Sequence, residues 1–140
     1  LLLDSGRQGK KNGHGFYDYS ANEPGKQPSA RVRIRLEAAS GMPAKFFDEQ
    51  EIVDRLMLPL LFEASLALDE GVVGSAGELD LALQLGLGFP RHLGGPLKYI
   101  DWLGLPRLVE LSERYGKLGA EYRVGAQFRD RASQGRPHYA

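Results

Sequence analysis

Apolar residues recur at helical spacing from Asp48 to Glu70. Ile52, Leu56, Pro59, Leu60, Glu63, Ala64 and Ala67 fall on one line, and Val53, Met57, Leu61 and Leu68 widen it. The pattern predicts one long helix buried between others. Asp48 caps it, with Glu51 three residues on completing an acidic capping box, and Gly71 ends it. Pro59 removes one backbone hydrogen bond and is expected to kink the helix. Its polar members are Asp54, Arg55 and Glu63, and surface-facing charges are the plain expectation for all three. Asp54 and Arg55 are neighbours and do not face each other.

A second capping box, Ser75 with Glu78, opens a leucine-rich helix in which Leu79, Leu81, Ala82, Leu83 and Leu85 are expected to be mostly buried. Gly86 and Gly88 break it, Phe89-Pro90 turns the chain, and Gly94-Gly95 leads to Pro96. The enclosed loop carries Arg91 and His92. It reads as a tight connection between two core helices, or as a seat for a ligand or another subunit. Pro96 starts a third helix through Trp102 to Gly104, and Pro106 a fourth to near Gly116, with Leu108, Val109 and Leu111 inward. Ala126 to Ser133 closes the set, anchored by Phe128, and the tail from Gly135 reads as irregular. The fold class is therefore all-α, with about five helices joined by short glycine and proline turns.

Upstream, Gly9, Gly13 and Gly15 with Arg7, Lys10 and Lys11 form a basic loop followed by the extended aromatic segment Phe16, Tyr17 and Tyr19. No strand precedes the loop and no phosphate-binding glycine motif matches, so aromatic pinning of a chain segment is the simpler reading. Ser20 to Gly41 is polar and interrupted by Pro24, Gly25 and Pro28. The alternating Arg31 to Leu36 is read as a short strand or a solvated linker. The folded unit is expected to begin near Phe46.

Composition adds limits. With 18 basic and 18 acidic residues among 140, the formal charge is zero, which gives no field to attract nucleic acid or an anionic membrane. Cysteine is absent, which excludes disulfides and cysteine-based zinc sites. No apolar run has the length of a membrane span. The chain lacks an initiator methionine and Leu1-Leu2-Leu3 is no signal peptide, so a start inside a longer protein is expected. His14, His92 and His138 lie on three separate loops, and none has helical metal-pair spacing, so no metal site is expected. Ser65 and Ser75 have no histidine nearby in sequence, and Asp80, Asp101 and Glu63 are expected to be solvated carboxylates.

Several stretches, in order, resemble one family. GKKNGHGFYDY (Gly9 to Tyr19) looks like the closing signature of a C-terminal domain of the L-3-hydroxyacyl-CoA dehydrogenase family. EIVDRLMLPLLFEASLALDEGVV (Glu51 to Val73) is similar to the first long helix of that domain, and Ser75 to Gly104 resembles its next section. The ending, from Tyr115 to Tyr139, is similar to the C-terminus of multifunctional fatty-acid oxidation enzymes. The resemblance implies a helical domain of the 6-phosphogluconate dehydrogenase C-terminal-like type. It divides the chain into 1–19, the end of a first helical domain; 20–45, a linker; and 46–140, a second helical domain.

The implied parent activity is NAD-dependent oxidation of an L-3-hydroxyacyl-CoA to the 3-ketoacyl-CoA, joined in the multifunctional chains to hydration of 2-enoyl-CoA, with the dehydrogenase's catalytic residues and the NAD site on a domain upstream of this chain. The piece itself is expected to be inactive, with no catalytic residue, no metal and no cofactor of its own. Its expected partners are the preceding helical and NAD-binding domains, an acyl-CoA in the parent, a second copy of the fragment, and a thiolase subunit; nucleic acid is not among them. A bacterial cytoplasm, or a mitochondrial or peroxisomal matrix, is the implied location. The family places an asparagine–arginine pair near substrate, and Asp54 and Arg55 occupy those positions. Aspartate would repel an anionic CoA ester and cannot donate the amide hydrogen bond, so loss of ligand contacts and a packing role are expected. The alternative is a residual acyl-CoA pocket formed by Arg55, Arg91, His92 and Lys98. Pro59 and Glu63 match the family pattern, as a kink and a buried, paired carboxylate; Gly86, Gly88, Pro90, Gly94 and Gly95 are expected to shape the loop.

Overall fold

The computed structural model describes residues 2–19, 26–41 and 45–139. The chain divides into two compact units, Leu1–Phe46 and Phe47–Ala140.

In the first unit, strands β1 (Tyr17–Tyr19) and β2 (Lys26–Pro28) pair antiparallel with Asp18 opposite Gln27, and helix α1 (Ala30–Ser40) follows. The basic loop is tied rather than open. Arg7 Nε donates to the Gly15 carbonyl at 2.7 Å, and its guanidinium pairs with Asp18, which also meets His14 Nδ1 at 3.2 Å. The Ser29 hydroxyl close by, with the hydrogen bonds from Arg7 and His14, holds the Asp18 carboxyl well below its usual range. A Cβ at Gly15 would lie 2.8 Å from Gly9 Cα, which explains the glycine where the loop crosses itself.

The reading of Arg31 to Leu36 as a short strand or solvated linker is corrected by α1; residues 20–25 and 42–44 lie outside the described residues. The Arg-apolar alternation of Arg31 to Leu36 is only six residues long. It runs into Glu37-Ala38-Ala39, which favour helix, and Arg33 sits 3.9 Å from Glu37 one turn on. Val32 alone is buried on α1, and Gly41 closes the helix at φ 64 with its N–H on Glu37 O.

The second unit is five helices: α2 (Glu49–Asp69), α3 (Ala76–Gly86), α4 (Pro96–Leu103), α5 (Leu105–Tyr115) and α6 (Ala126–Ser133). Both expected N-caps are present, Asp48 Oδ1 accepting from Glu51 N at 2.7 Å and Ser75 Oγ from Glu78 N at 3.3 Å. The core joins Leu58 and Leu61 of α2, Leu97 and Ile100 of α4 and Leu108 of α5, with Phe62 edge-on to Phe128 at 5.7 Å.

Two buried faces differ from expectation. On α2 the inward line is Asp54, Leu58, Leu61, Phe62 and Ser65, while Ile52, Val53, Leu56 and Leu66 are exposed. On α3, Leu79 and Asp80 are buried, whereas Leu81 and Leu85 face solvent. Both helices are apolar on more than one face, so periodicity alone did not choose between the faces.

Candidate functional site

At the N-terminal half of α2, Asp54 is buried and its carboxylate is already occupied. Tyr115 Oη donates to Oδ2 at 3.2 Å and Gln50 Nε2 to Oδ1 at 2.7 Å. Burial, with the Asp54 charge and hydrogen bond, pushes the Tyr115 phenol up, so it stays a donor. This corrects the expectation of a surface-facing Asp54. Arg55 points elsewhere, 3.6 Å from Glu51 and over the Phe47 ring. One turn on, Pro59 has no N–H for the Arg55 carbonyl, and Tyr122 Oη donates to that carbonyl at 3.0 Å. The proline inside the helix is thus matched by a phenol from the segment before α6.

The Gly86–Gly95 loop is fixed from below by Asp80, only 2% exposed. Its carboxylate accepts from Leu97 N at 2.8 Å, Lys98 N at 3.0 Å and Tyr139 Oη at 2.6 Å. It therefore caps α4 at the positive end of the helix. Gly95, at φ 104, is required there, because a Cβ would stand 2.3 Å from Asp80 Cβ and Cγ. The expected solvated Asp80 is corrected: its partners come from positions far along the chain. The signal in the sequence was Gly-Pro at a helix start, which leaves amide donors for an acid to meet.

Arg91 and His92 sit exposed on a single 3-10 turn, Arg91–Leu93, and Lys98 Nζ lies 4.9 Å over the Tyr139 ring. Arg55 joins them in no described hydrogen bond or ion pair, and none of the four lines either large cleft. Beside Lys98 on α4, Trp102 is 76% exposed and stacks on Tyr99 at 5.7 Å.

The tail was read as irregular and proves to be bound. Asp101 accepts from His138 N, His138 Nδ1 and Tyr139 N at 2.8, 3.0 and 2.9 Å. His138 Nε2 meets Ser65 Oγ at 2.9 Å. This also corrects the expectation of a solvated Asp101, and it places a histidine beside Ser65 that sequence proximity could not reveal. The serine–histidine–aspartate order matches that of hydrolases, but the accessibility does not. Ser65 is 1% exposed in the middle of α2, where backbone N–H groups are spent on the helix and cannot form an oxyanion hole. The chain uses the three groups to clasp the tail onto α2 and α4.

Two clefts flank α2. One, about 560 Å³, lies between the second half of α2 and the Ala120–Phe128 segment; the other, about 480 Å³, lies between α2 and α3 over Leu60, Ala64, Ala67 and Leu83. They share Pro59, Glu63 and Glu121. Glu63 is exposed, as the helix pattern led one to expect, and forms no hydrogen bond or ion pair with the described residues; the buried, paired carboxylate that the resemblance implied is corrected.

The C-terminal domain family of 3-hydroxyacyl-CoA dehydrogenase matches residues 52–137. The chain belongs to that family, and its helical fold agrees. It is thereby a domain of a 3-hydroxyacyl-CoA dehydrogenase-type oxidoreductase. The family's NAD finds no cradle here: the described sheet is two antiparallel three-residue strands, with no strand–glycine-turn–helix unit for a dinucleotide. Among the described residues no helix is long and apolar enough to cross a membrane, and no acidic or histidine cluster could hold a metal.

Proposed function

We propose that this chain is the C-terminal piece of a multifunctional enzyme of fatty-acid β-oxidation and serves it by packing rather than by catalysis. In the parent, an upstream domain carries NAD and oxidises L-3-hydroxyacyl-CoA to 3-ketoacyl-CoA. The second unit packs on the preceding helical domain in place of a dimer partner, and a thiolase subunit is a further partner of the assembly. The observation that carries this reading is the apolar surface left open on α2 and α3: Leu56, Leu81, Leu85 and Leu87 are exposed, and Leu87 lines an apolar cleft between the two helices. Such a face favours burial against another chain or domain. The commitment of Asp54 to Tyr115 and Gln50 supports it, since the position that matches the family's ligand-contacting asparagine is spent inside the fold.

Solution mass by light scattering, over a range of protein concentrations, tests the packing role. A dimer that strengthens with concentration supports it; a monomer throughout counts against it. The second reading, a residual acyl-CoA pocket, is favoured by the exposed Trp102–Tyr99 stack next to Lys98. Acyl-CoA titration followed by Trp102 fluorescence tests it, with saturable quenching that Arg91→Ala abolishes as the positive result.

A further inference from the structure

One line of α2 is left partly or fully open along most of its length. Ile52, Leu56, Leu60, Glu63 and Ala67 follow at spacings of four, four, three and four, and share one side of the helix. At 1.5 Å per residue the line is roughly 22 Å long, about four helical turns. Ile52 and Leu56 are exposed, Leu60 and Ala67 half-buried. Leu83 and Leu87 of α3 raise one wall beside it, and Ala64 and Ala67 keep the floor low enough for close approach by a rod-shaped partner.

A carboxylate in the middle of such a line is out of place for a purely apolar contact. Glu63 stands where the two clefts meet, and Glu121 reaches the same place from the opposite segment. Both are exposed, and neither has a hydrogen-bond or ion-pair partner among the described residues. Arg123, on the same cleft, is turned away to the Gly116 carbonyl at 2.8 Å, and Asp69 is taken by Arg131 at 2.9 Å. Two unneutralised acids over an apolar trough complement a cation carried on an apolar stripe.

We propose that the α2–α3 trough receives a helix from outside this chain, whose apolar stripe is interrupted by one lysine or arginine that pairs with Glu63 and Glu121. This rests on the packing role proposed above and names the chemistry of the partner. It also accounts for Glu63 in the domain as seen: the carboxylate is exposed because its cation belongs to the missing helix.

The test uses the full chain and two synthetic fluorescein-labelled helical peptides of about four turns. Both carry leucines at the spacing of the α2 line; one has lysine and the other glutamate at the central stripe position. Fluorescence anisotropy should show the lysine peptide bound at least about tenfold more tightly. The double variant Glu63→Lys/Glu121→Lys should reverse the preference. Both side chains are exposed, so the fold should tolerate the exchange. Equal binding of the two peptides, or a preference unmoved by the charge swap, overturns the inference while leaving the packing role standing. A self-dimer that the peptide displaces also overturns it, since the occupant is then a second copy. A concentration-independent monomer that binds neither peptide sinks the packing role itself.

Discussion

Removing one hydroxyl should reveal how α2 tolerates its internal proline. Residue 59 would normally donate to the Arg55 carbonyl, and proline cannot, so that carbonyl depends on Tyr122 Oη at 3.0 Å. Tyr122→Phe keeps the ring beside Tyr115, at 6.4 Å between centroids, and deletes only the donor. A neutral hydrogen bond nets about 1 kcal/mol, and leaving a part-buried acceptor unpaired raises the loss towards about 2 kcal/mol. For a domain of this size that is a fall in Tm of roughly 4–16 °C. Pro59→Ala restores the helical N–H and gains up to about 3 kcal/mol of helix propensity, so Tyr122→Phe should cost little in that background. The assay is urea unfolding of the four proteins of the cycle, read by Trp102, the sole tryptophan. Coupling of about 1 kcal/mol supports the account. Equal losses in both backgrounds would refute it, because Tyr122 would then stabilise by packing alone.

Other consequences can be measured with the same unfolding assay. Gly95→Ala drives a Cβ to 2.3 Å from the Asp80 side chain at φ 104, and should cost about 2–4 kcal/mol; a loss near zero would mean the Asp80 cap is dispensable. Burial, then the hydrogen bond and charge of Asp80, raise the Tyr139 phenol above its ordinary 10.0. Because the folded value is the higher, this contribution to stability is complete below pH 10 and falls as the pH climbs beyond it; Tyr139→Phe should make that alkaline slope shallower, leaving the part due to Tyr115. Asp18 in the first unit behaves in the opposite sense. Its depressed carboxyl gives stability that is present above pH 4 and declines in stronger acid, a decline that Asp18→Asn should flatten. A fluorophosphonate reagent should leave Ser65 unlabelled in the native protein, and rapid labelling would contradict its burial.

Local chemistry was strong enough in this sequence to set the helices. Asp48 with Glu51, Ser75 with Glu78, Pro96 and the glycines at 71, 95 and 104 act on their own few residues, so each boundary could be read from a short window. The family resemblance rests on the same stretches, and the match over residues 52–137 agrees with it. The α1 helix was missed because six alternating residues imitate a strand, and only the following Glu-Ala-Ala and the capping Gly41 tip the balance.

What the sequence could not decide was which face of an apolar helix turns inward, and which acids are buried. Leucines on every side of α2 and α3 make several orientations equally apolar, and the choice is made where Asp54 meets Tyr115 and Asp80 meets the start of α4. Those partners lie 61 and 17 residues away, beyond any periodic signal. The tail shows the same limit: His138 and Tyr139 read as irregular until Asp101, Ser65 and Asp80 surround them. Glu63 is the counter-case, an acid that the helix pattern leaves to solvent and that has no partner among the described residues, where the resemblance implied a paired one. Short-range energetics fixed the elements; the location of each polar partner, a property of the three-dimensional arrangement alone, fixed their faces.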